Sequence, residues 1–161
     1  MSWILDLFFA SLGRDKRERI KAVVMDMWDP YIASVSKWTN ADIVFDKFHI
    51  AKKVNECPDS IRKKEFRNAD KTVRKDFKDK RFLILAREEN VPEDQKETLE
   101  NLLRQNQTLY KAYLLKEQLL DIMDCLSLDF SLDRLRTWKE NVIASTIQEF
   151  EPLVKMLDAH M

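Results

Sequence analysis

Two aspartates and one histidine have the residue types and spacing with which this chain could do chemistry. Asp26 ends the apolar run AVVM, Asp46 ends the run IVF, and His49 follows three residues later. Carboxylate oxygens are the ligands that Mg²⁺ and Mn²⁺ prefer, and such ions can activate a water or a 3′ hydroxyl in phosphoryl transfer. Asp26, Asp46 and His49 are therefore candidate catalytic residues, and the two aspartates are candidate metal ligands.

Two short strands would have to position these side chains. Runs of this length, rich in Val and Ile and separated by a helix-sized segment, are typical of two buried parallel strands joined by a crossover helix. The pattern predicts strands over residues 20–25 and 41–45 and a helix over 30–38. Both aspartates would then lie about 5 Å apart at the carboxyl ends of neighbouring strands, where ligands gather in open α/β sheets.

Helix capping offers a structural explanation for some of these acids. Asp29 precedes Pro30, a pattern typical of a helix cap followed by proline at the first helical position, so Asp26 is not needed as that cap. Asp46 could cap the helix that begins near Phe48 or could belong to the site, and both interpretations stay open. A lone histidine such as His49 is more often a structural hydrogen-bonder than a ligand, but its convergence with two acids favours a functional role.

The composition favours helices over the rest of the chain. Of the 161 residues, 45% are apolar and 35% charged, with a single glycine, which predicts a mostly α protein with a small α/β part. Apolar residues at helical spacing predict an opening helix that buries Trp3, Ile4, Leu7, Phe8 and Leu12 and ends at Gly13, joined by the connection RDKRER to the first strand. Further helices are predicted over 92–104, 108–125, 132–147 and from 152.

A basic segment separates the two regions. Residues 47–87 contain 14 Lys and Arg against 6 Asp and Glu, although the whole chain is neutral. Residues 52–80 are predicted to be helical, broken or restarted at Pro58, with a sparse apolar stripe of Val54, Ile61, Phe66, Val73 and Phe77. RFLILA, residues 81–86, could be a strand or a buried helical turn. The basic face could follow a phosphate backbone or could simply be solvated; its candidate DNA contacts are Lys52, Lys53, Arg62, Lys63, Lys64 and Arg67.

Several function classes lack support in the sequence. The two cysteines form no CxxC motif and no disulfide framework, which is typical of a protein from a reducing cytoplasm. No apolar run approaches the ~20 residues that span a bilayer, and the apolar opening segment lacks the flanks of a signal peptide. No Gly-rich phosphate loop, GxSxG or HExxH motif is present. We therefore expect neither a membrane partner nor a small-molecule substrate.

The amino-acid sequence at the two strand ends resembles that of a known family. DMW-x-PY over residues 26–31, followed by A-x-IVFDKFHI-x-K over 41–52, resembles the DDE transposases of the insertion-sequence-L-three group. The resemblance continues through Asn55, Asp59, Arg62, Glu65, the RFLIL segment, the AYLLKE helix over 112–117, Trp138 and Ser145. It covers nearly all of the chain, and the pairing of DMW-x-PY with D-x-FH is specific.

The resemblance implies a bacterial, cytoplasmic enzyme with a ribonuclease-H-like catalytic core that uses Mg²⁺ or Mn²⁺ on transposon-end DNA, with a homo-oligomer as a compatible assembly. Asp26 matches the family's second catalytic aspartate, and Asp46 and His49 match the D-x-FH motif in or near the site. Residues 1–56 would form a partial core, with two parallel strands and a crossover helix. Residues 57–161 would form the all-helical insertion that precedes the final glutamate.

Departures from the family pattern suggest an incomplete enzyme. The first aspartate is expected upstream of Trp3 and the glutamate, in an SN-x-x-EG-type segment, beyond Met161. Neither is present, nor are the zinc-binding and helix-turn-helix regions, and Pro58 and Asp79 replace a helical residue and a glycine. We therefore expect a transposase fragment that is inactive alone. The alternatives are a DNA-binding or oligomerising remnant without catalysis, or a degenerate gene product with no role.

Overall fold

The computed structural model describes residues 3–70, 74, 77 and 79–160. These residues divide into two compact units, one reaching to Ile50 and including His160, the other formed by Ala51–Ala159. The helix over Lys47–Asn68 runs through the predicted boundary between residues 56 and 57, and that division stays a prediction. The predicted mostly α architecture with a small α/β part is confirmed. No described helix is long and apolar enough to cross a bilayer.

The first unit contains the α/β part. Its elements are α1 (Trp3–Leu12), α2 (Arg14–Glu18), β1 (Ala22–Met25), α3 (Asp29–Trp38), β2 (Asp42–Phe45) and the start of α4 (Lys47–Asn68). The strands pair in parallel with Met25 opposite Phe45, so the predicted strand–helix–strand unit is confirmed. Gly13, at φ 73°, follows α1 as predicted, whereas the expected connection RDKRER forms the short helix α2.

The core of the first unit is small. Phe9, Met25 and Val35 are buried, and α1 is fastened to α3 where Asp6 accepts hydrogen bonds from Lys37 Nζ at 3.1 Å and Trp38 Nε1 at 2.9 Å. Two predictions about packing in this unit are wrong. The first is that both strands are buried. They are buried on one face only, because no described element covers the face that holds Val24 and Val44.

The second error concerns the buried face of α1. Four residues of the predicted stripe, Trp3, Ile4, Leu7 and Phe8, are exposed, whereas Phe9 is buried and Leu5 and Leu12 pack against the core. Apolar residues surround α1 on most sides, so their spacing alone did not distinguish the inward face from the outward one.

The second unit is helical. After the rest of α4 come α5 (Arg81–Leu85), α6 (Glu93–Arg104), α7 (Gln107–Met123), α8 (Leu128–Ser145) and α9 (Glu151–His160), with 3₁₀ turns at Glu88–Asn90 and Gln148–Phe150. Helices α7 and α8 supply much of its core, including Leu109, Leu119, Trp138 and Val142, which are all less than 5% exposed. The predicted helices are confirmed, although α8 begins four residues earlier than expected.

Local differences from the prediction have physical explanations. Pro58 lies inside α4 and does not break it, because the buried neighbours Val54, Cys57 and Ile61 hold the turn that lacks one backbone hydrogen bond. RFLIL is a helix. Asp79 has φ 60°, the left-handed conformation that glycine favours, which explains why a glycine suits this position. Val73, part of the predicted apolar stripe, lies outside the described residues.

Candidate active site

The two strand ends bring Asp26 and Asp46 together. Each aspartate directly follows the paired residues Met25 and Phe45, and the backbone N–H of Asp46 donates to the Met25 carbonyl at 2.8 Å. Asp26 Oδ1 accepts a hydrogen bond from the N–H of Met27 at 2.8 Å. The parallel register therefore fixes both carboxylates at the same edge of the sheet.

His49 lies between these two carboxylates. Its Nδ1 is 3.1 Å from Asp46 Oδ2, and its Nε2 is 3.5 Å from Asp26 Oδ2. The side chains of Asp26, Asp46 and His49 are 43%, 41% and 41% exposed, so all three remain open to solvent. One imidazole ring thus contacts both acids, one through each nitrogen, in a cluster that a ligand can reach.

Asp46 caps helix α4 with one carboxylate oxygen and contacts His49 with the other. Its Oδ1 accepts from the N–H of Phe48 at 2.9 Å, the hydrogen bond of a capping residue at the start of α4. Its Oδ2 faces His49. The two interpretations of Asp46 are therefore compatible, because each uses a different carboxylate oxygen.

Asp29 is not the cap of α3, contrary to the prediction. The capping position is Trp28, whose backbone is extended and whose carbonyl accepts from the N–H groups of Tyr31 and Ile32. The helix begins one residue earlier than expected, which places Asp29 inside its first turn, where its carboxylate makes no capping hydrogen bond. The reason given for excluding Asp26 as the cap of α3, namely that Asp29 is the cap, is therefore wrong. Asp26 is nonetheless not a cap, since its carboxylate bonds to Met27.

The carboxylates suit a divalent cation only in part. Asp26 and Asp46 offer hard oxygen donors at a solvent-accessible edge, which is the donor chemistry that Mg²⁺ and Mn²⁺ require. Among the described residues, however, no group of three or more His, Cys, Asp or Glu is arranged to hold a metal ion. The residues present thus fit as two ligands of a larger set.

The predicted DNA contacts on α4 differ in their availability. Arg62 is turned inward: its side chain is only 13% exposed and donates to Asp59 at 2.8 Å. Lys63 also pairs with Asp59, and Lys64 pairs with Glu149, but both lysine side chains remain more than half exposed. The described part of the chain shows no carboxylate partner for the three remaining cations, the exposed Lys52, Lys53 and Arg67.

The exposed cations share one side of α4. Lys52 and Lys53 lie eleven residues before Lys63 and Lys64, which is just over three whole turns, and Arg67 lies about one turn further. We call these five residues, Lys52, Lys53, Lys63, Lys64 and Arg67, the α4 basic face. Arg62 is left out because it faces Asp59.

Sequence reasoning missed the structural role of Asp59. This carboxylate is buried and contacts Arg62, Lys63 and Arg81. Burial opposes ionisation, but hydrogen bonds from Lys63 and Arg62 outweigh it and hold the pKa of Asp59 below its usual range. The spacing of Asp59 to Arg62 and Lys63, three and four residues, could have revealed these pairs.

A buried lysine was missed as well. The fully buried Lys116 donates to the carbonyls of Ile84 and Ala86, at 3.3 and 2.6 Å, at the carboxyl end of α5. Burial, outweighing the ion pair with Glu117, lowers the pKa of Lys116. Burial also raises the pKa of the Cys57 thiol to about 12, which keeps it protonated and unreactive at neutral pH. Lys116 and Cys57 therefore have structural roles in the core of the second unit and are not candidates for chemistry.

Comparisons with known proteins identify one family and one relative of this chain. A family model described as transposase, that of the DDE enzymes of the insertion-sequence-L-three group, matches residues 3–161. The transposase for insertion sequence element IS1001 of Bordetella parapertussis is 34% identical over 116 residues, covering 70% of this chain and 29% of that protein. The chain thus spans under a third of this relative's length. No solved structure matches significantly.

Proposed function

Because the chain belongs to the DDE transposase family of the insertion-sequence-L-three group, we propose that it contributes metal-binding carboxylates to DNA cleavage and strand transfer. One observation carries this proposal: Asp26 and Asp46 meet at the ends of paired strands with His49 between them. Half-exposed acids at the carboxyl edge of a parallel sheet are placed to receive a ligand, whereas acids that only stabilise a fold are usually neutralised by buried partners.

Each residue of the cluster has a separate task in this proposal. Asp26 and Asp46 would hold Mg²⁺ or Mn²⁺, which supplies activation of the attacking oxygen and stabilisation of the leaving oxygen in phosphoryl transfer. The N–H groups of Met27 and Phe48 orient one oxygen of each carboxylate. His49 contacts the other oxygen of each and so holds the pair in register.

We further propose that this chain alone does not cleave DNA. A site that binds two metal ions usually needs a third acidic ligand, and the described residues offer only this pair. Metal binding should therefore be weak but specific to the two aspartates, and catalysis should require ligands supplied from outside the described residues.

Manganese binding tests the proposal directly. We expect Asp26→Asn and Asp46→Asn each to weaken Mn²⁺ affinity at least tenfold, measured as free Mn²⁺ by electron paramagnetic resonance. Asp29→Asn, which removes an exposed acid of the same unit, should leave the affinity unchanged and serves as the matched control. Equal binding by all variants would refute the metal role of Asp26 and Asp46. Metal-dependent nicking that Asp26→Ala abolishes would refute the proposed lack of cleavage.

A second function, DNA binding without catalysis, is favoured by the α4 basic face. Three of its five cations have no carboxylate partner in the described residues, and they are free to neutralise phosphates. This function predicts salt-dependent, sequence-independent binding that survives Asp26→Ala.

The matched comparison neutralises equal charge at two places. We expect the triple variant Lys52→Gln, Lys53→Gln and Arg67→Gln to bind duplex DNA more weakly and with a shallower salt dependence than the parent. The control Lys111→Gln, Arg136→Gln and Lys155→Gln removes two lysines and one arginine from other exposed positions. Similar losses in both triples would show that net charge, and not the α4 basic face, determines binding. Sedimentation of the same samples tests self-association.

A further inference from the structure

A polar cleft of about 290 Å³ lies in the first unit, between α2 and the carboxyl end of α3. Its lining includes three cationic side chains, one carboxylate and one aromatic ring, namely Arg14, Arg17, Lys37, Glu18 and Trp38, together with the polar Ser36 and Asn40. We call it the Trp38 cleft. It belongs neither to the Asp26 and Asp46 cluster nor to the α4 basic face.

Two of these cations are held over the same ring. The Arg17 guanidinium lies 4.9 Å from the centre of the Trp38 ring, and Lys37 Nζ lies 5.1 Å from it. Arg17 also donates to the Phe9 carbonyl at 3.0 Å, and Trp38 Nε1 donates to Asp6. Because the ring and the guanidinium are both fixed, the cleft is organised before any ligand arrives.

The charges around the cleft are only partly neutralised. Arg14 pairs with Glu18 at 2.7 Å and Lys37 pairs with Asp6 at 3.1 Å, but no described carboxylate pairs with Arg17. The lining of the cleft holds three cations against one acid, Glu18, and Asp6 pairs with one of these cations from outside the lining. The surplus of positive charge therefore attracts an anion.

We propose that the Trp38 cleft binds a phosphate of a nucleic-acid backbone. A half-buried guanidinium presents parallel donors that match a phosphate, and Ser36 and Asn40 can donate beside it. Cations already lie over Trp38, so the ring positions charge and does not stack a base. The choice of DNA as the source of the phosphate rests on the proposed function.

The position of the cleft gives this contact a purpose. Trp38 precedes β2 and Asp46 follows it, so the cleft and the acidic cluster lie beyond opposite ends of a four-residue strand that is about 13 Å long. A phosphate held in the cleft would anchor a DNA strand at a distance of at least about four nucleotides, along the duplex axis, from the acids. The cleft thus adds an electrostatic contact to a unit whose other site repels phosphate until a cation binds.

Neutralising the cleft in the full chain tests the proposal. The variant Arg14→Gln, Arg17→Gln and Lys37→Gln keeps side-chain donors for the Phe9 carbonyl and Asp6 but loses three charges. We expect at least tenfold weaker binding of a fluorescent 20-base-pair duplex, and a salt slope smaller by about one for each phosphate that the variant no longer neutralises. Arg17→Lys should retain most of the slope. The triple Lys111→Gln, Arg136→Gln and Lys155→Gln is the control, and thermal melting checks folding.

The possible outcomes separate this inference from the proposed function. An unchanged affinity and slope in the cleft variant overturns the inference, as does a parent chain that fails to bind DNA at low salt. Binding of inorganic pyrophosphate, abolished in the cleft variant, without any binding of DNA would assign the cleft to a free anion and also overturn it. None of these results alters Mn²⁺ binding at Asp26 and Asp46, which stands or fails on its own measurement.

Discussion

The two units of the chain use charge in opposite ways. In the second unit, the buried Asp59 and Lys116 are surrounded by ion pairs and carbonyl acceptors. In the first unit, Asp26 and Asp46 are two-fifths exposed and share one histidine. A buried charge must be neutralised by neighbouring groups of the protein, whereas an exposed pair of acids remains available to bind a ligand. This contrast supports placing the chemistry in the first unit.

The two units also differ in how many large side chains they bury. The second unit buries large side chains such as Trp138, Phe150 and Leu109 in a core of its own. The first unit buries few, and Trp3, Ile4 and Phe8 remain more than half exposed. The hydrophobic stabilisation is therefore concentrated in the helical unit, while the candidate site residues lie on a thinly packed scaffold.

Truncating a core tryptophan should give the largest effect. Trp138 is 1% exposed, its Nε1 donates to the Leu115 carbonyl at 2.8 Å, and its ring packs edge-on against Phe150. We expect Trp138→Ala to lower the free energy of unfolding by about 3–5 kcal/mol in urea titrations. Trp3→Ala, which truncates a tryptophan that is 62% exposed, should cost less than about 0.5 kcal/mol. Similar costs would erase the contrast in packing.

Removing the buried carboxylate should give the next largest effect. Asp59→Asn leaves Arg62, Lys63 and Arg81 without their anion, so we expect a loss of about 3 kcal/mol at neutral pH. The pKa of Asp59 is lowered by folding, and its contribution is therefore present above about pH 4 and lost as the pH falls through the folded-state pKa.

The pH dependence of the stability loss distinguishes the missing ion pairs of Asp59 from a general loss of packing. Urea titrations should show the stability gap between parent and Asp59→Asn narrowing as the pH falls below about 4. Asp133→Asn, which removes an acid that is 77% exposed, is the control and should follow the parent at every pH. A constant gap for Asp59→Asn would mean that the charge of Asp59 contributes nothing.

Much of the fold could be predicted because its elements carry local patterns. The runs AVVM and IVF with a helix-sized spacer define the parallel pair, and Leu99, Leu102 and Leu103 mark one face of α6. The inward face of α1 could not be predicted, since apolar residues occupy most of its circumference. The predicted break at Pro58 does not occur because long-range packing in the second unit outweighs the local tendency of proline to break a helix.

The candidate site was predictable in membership but not in arrangement. Strand-end position selected Asp26 and Asp46, and the three-residue spacing selected His49. Nothing in the residue order indicates that the ring would contact both acids, or that Arg62 would turn inward toward Asp59. Such contacts depend on tertiary packing, which has no local pattern.

The two tasks of Asp46 can be separated by paired substitutions. Asp46→Ala removes the acceptor for the Phe48 N–H, so we expect a loss of about 1 kcal/mol in the free energy of unfolding. Asp46→Asn keeps a capping oxygen and should cost only a few tenths of a kcal/mol. Both variants should weaken Mn²⁺ binding equally, because both lack the charge. If the stable variant Asp46→Asn bound Mn²⁺ like the parent, Asp46 would be a helix cap alone.

Asp29 should give the smallest effect, because Trp28 occupies the capping position of α3. We expect Asp29→Ala to change the free energy of unfolding by less than about 0.5 kcal/mol, because it loses an interaction with the helix dipole and an exposed contact of 3.8 Å with His160 Nε2. Asn106→Ala is the comparison in the second unit: the Asn106 side chain accepts from the Leu109 N–H at 2.8 Å, and its loss should cost about 1 kcal/mol or more. If urea titrations gave Asp29→Ala a larger cost than Asn106→Ala, Asp29 would be the cap of α3. Asp26 would then not be needed as that cap, as the sequence predicts.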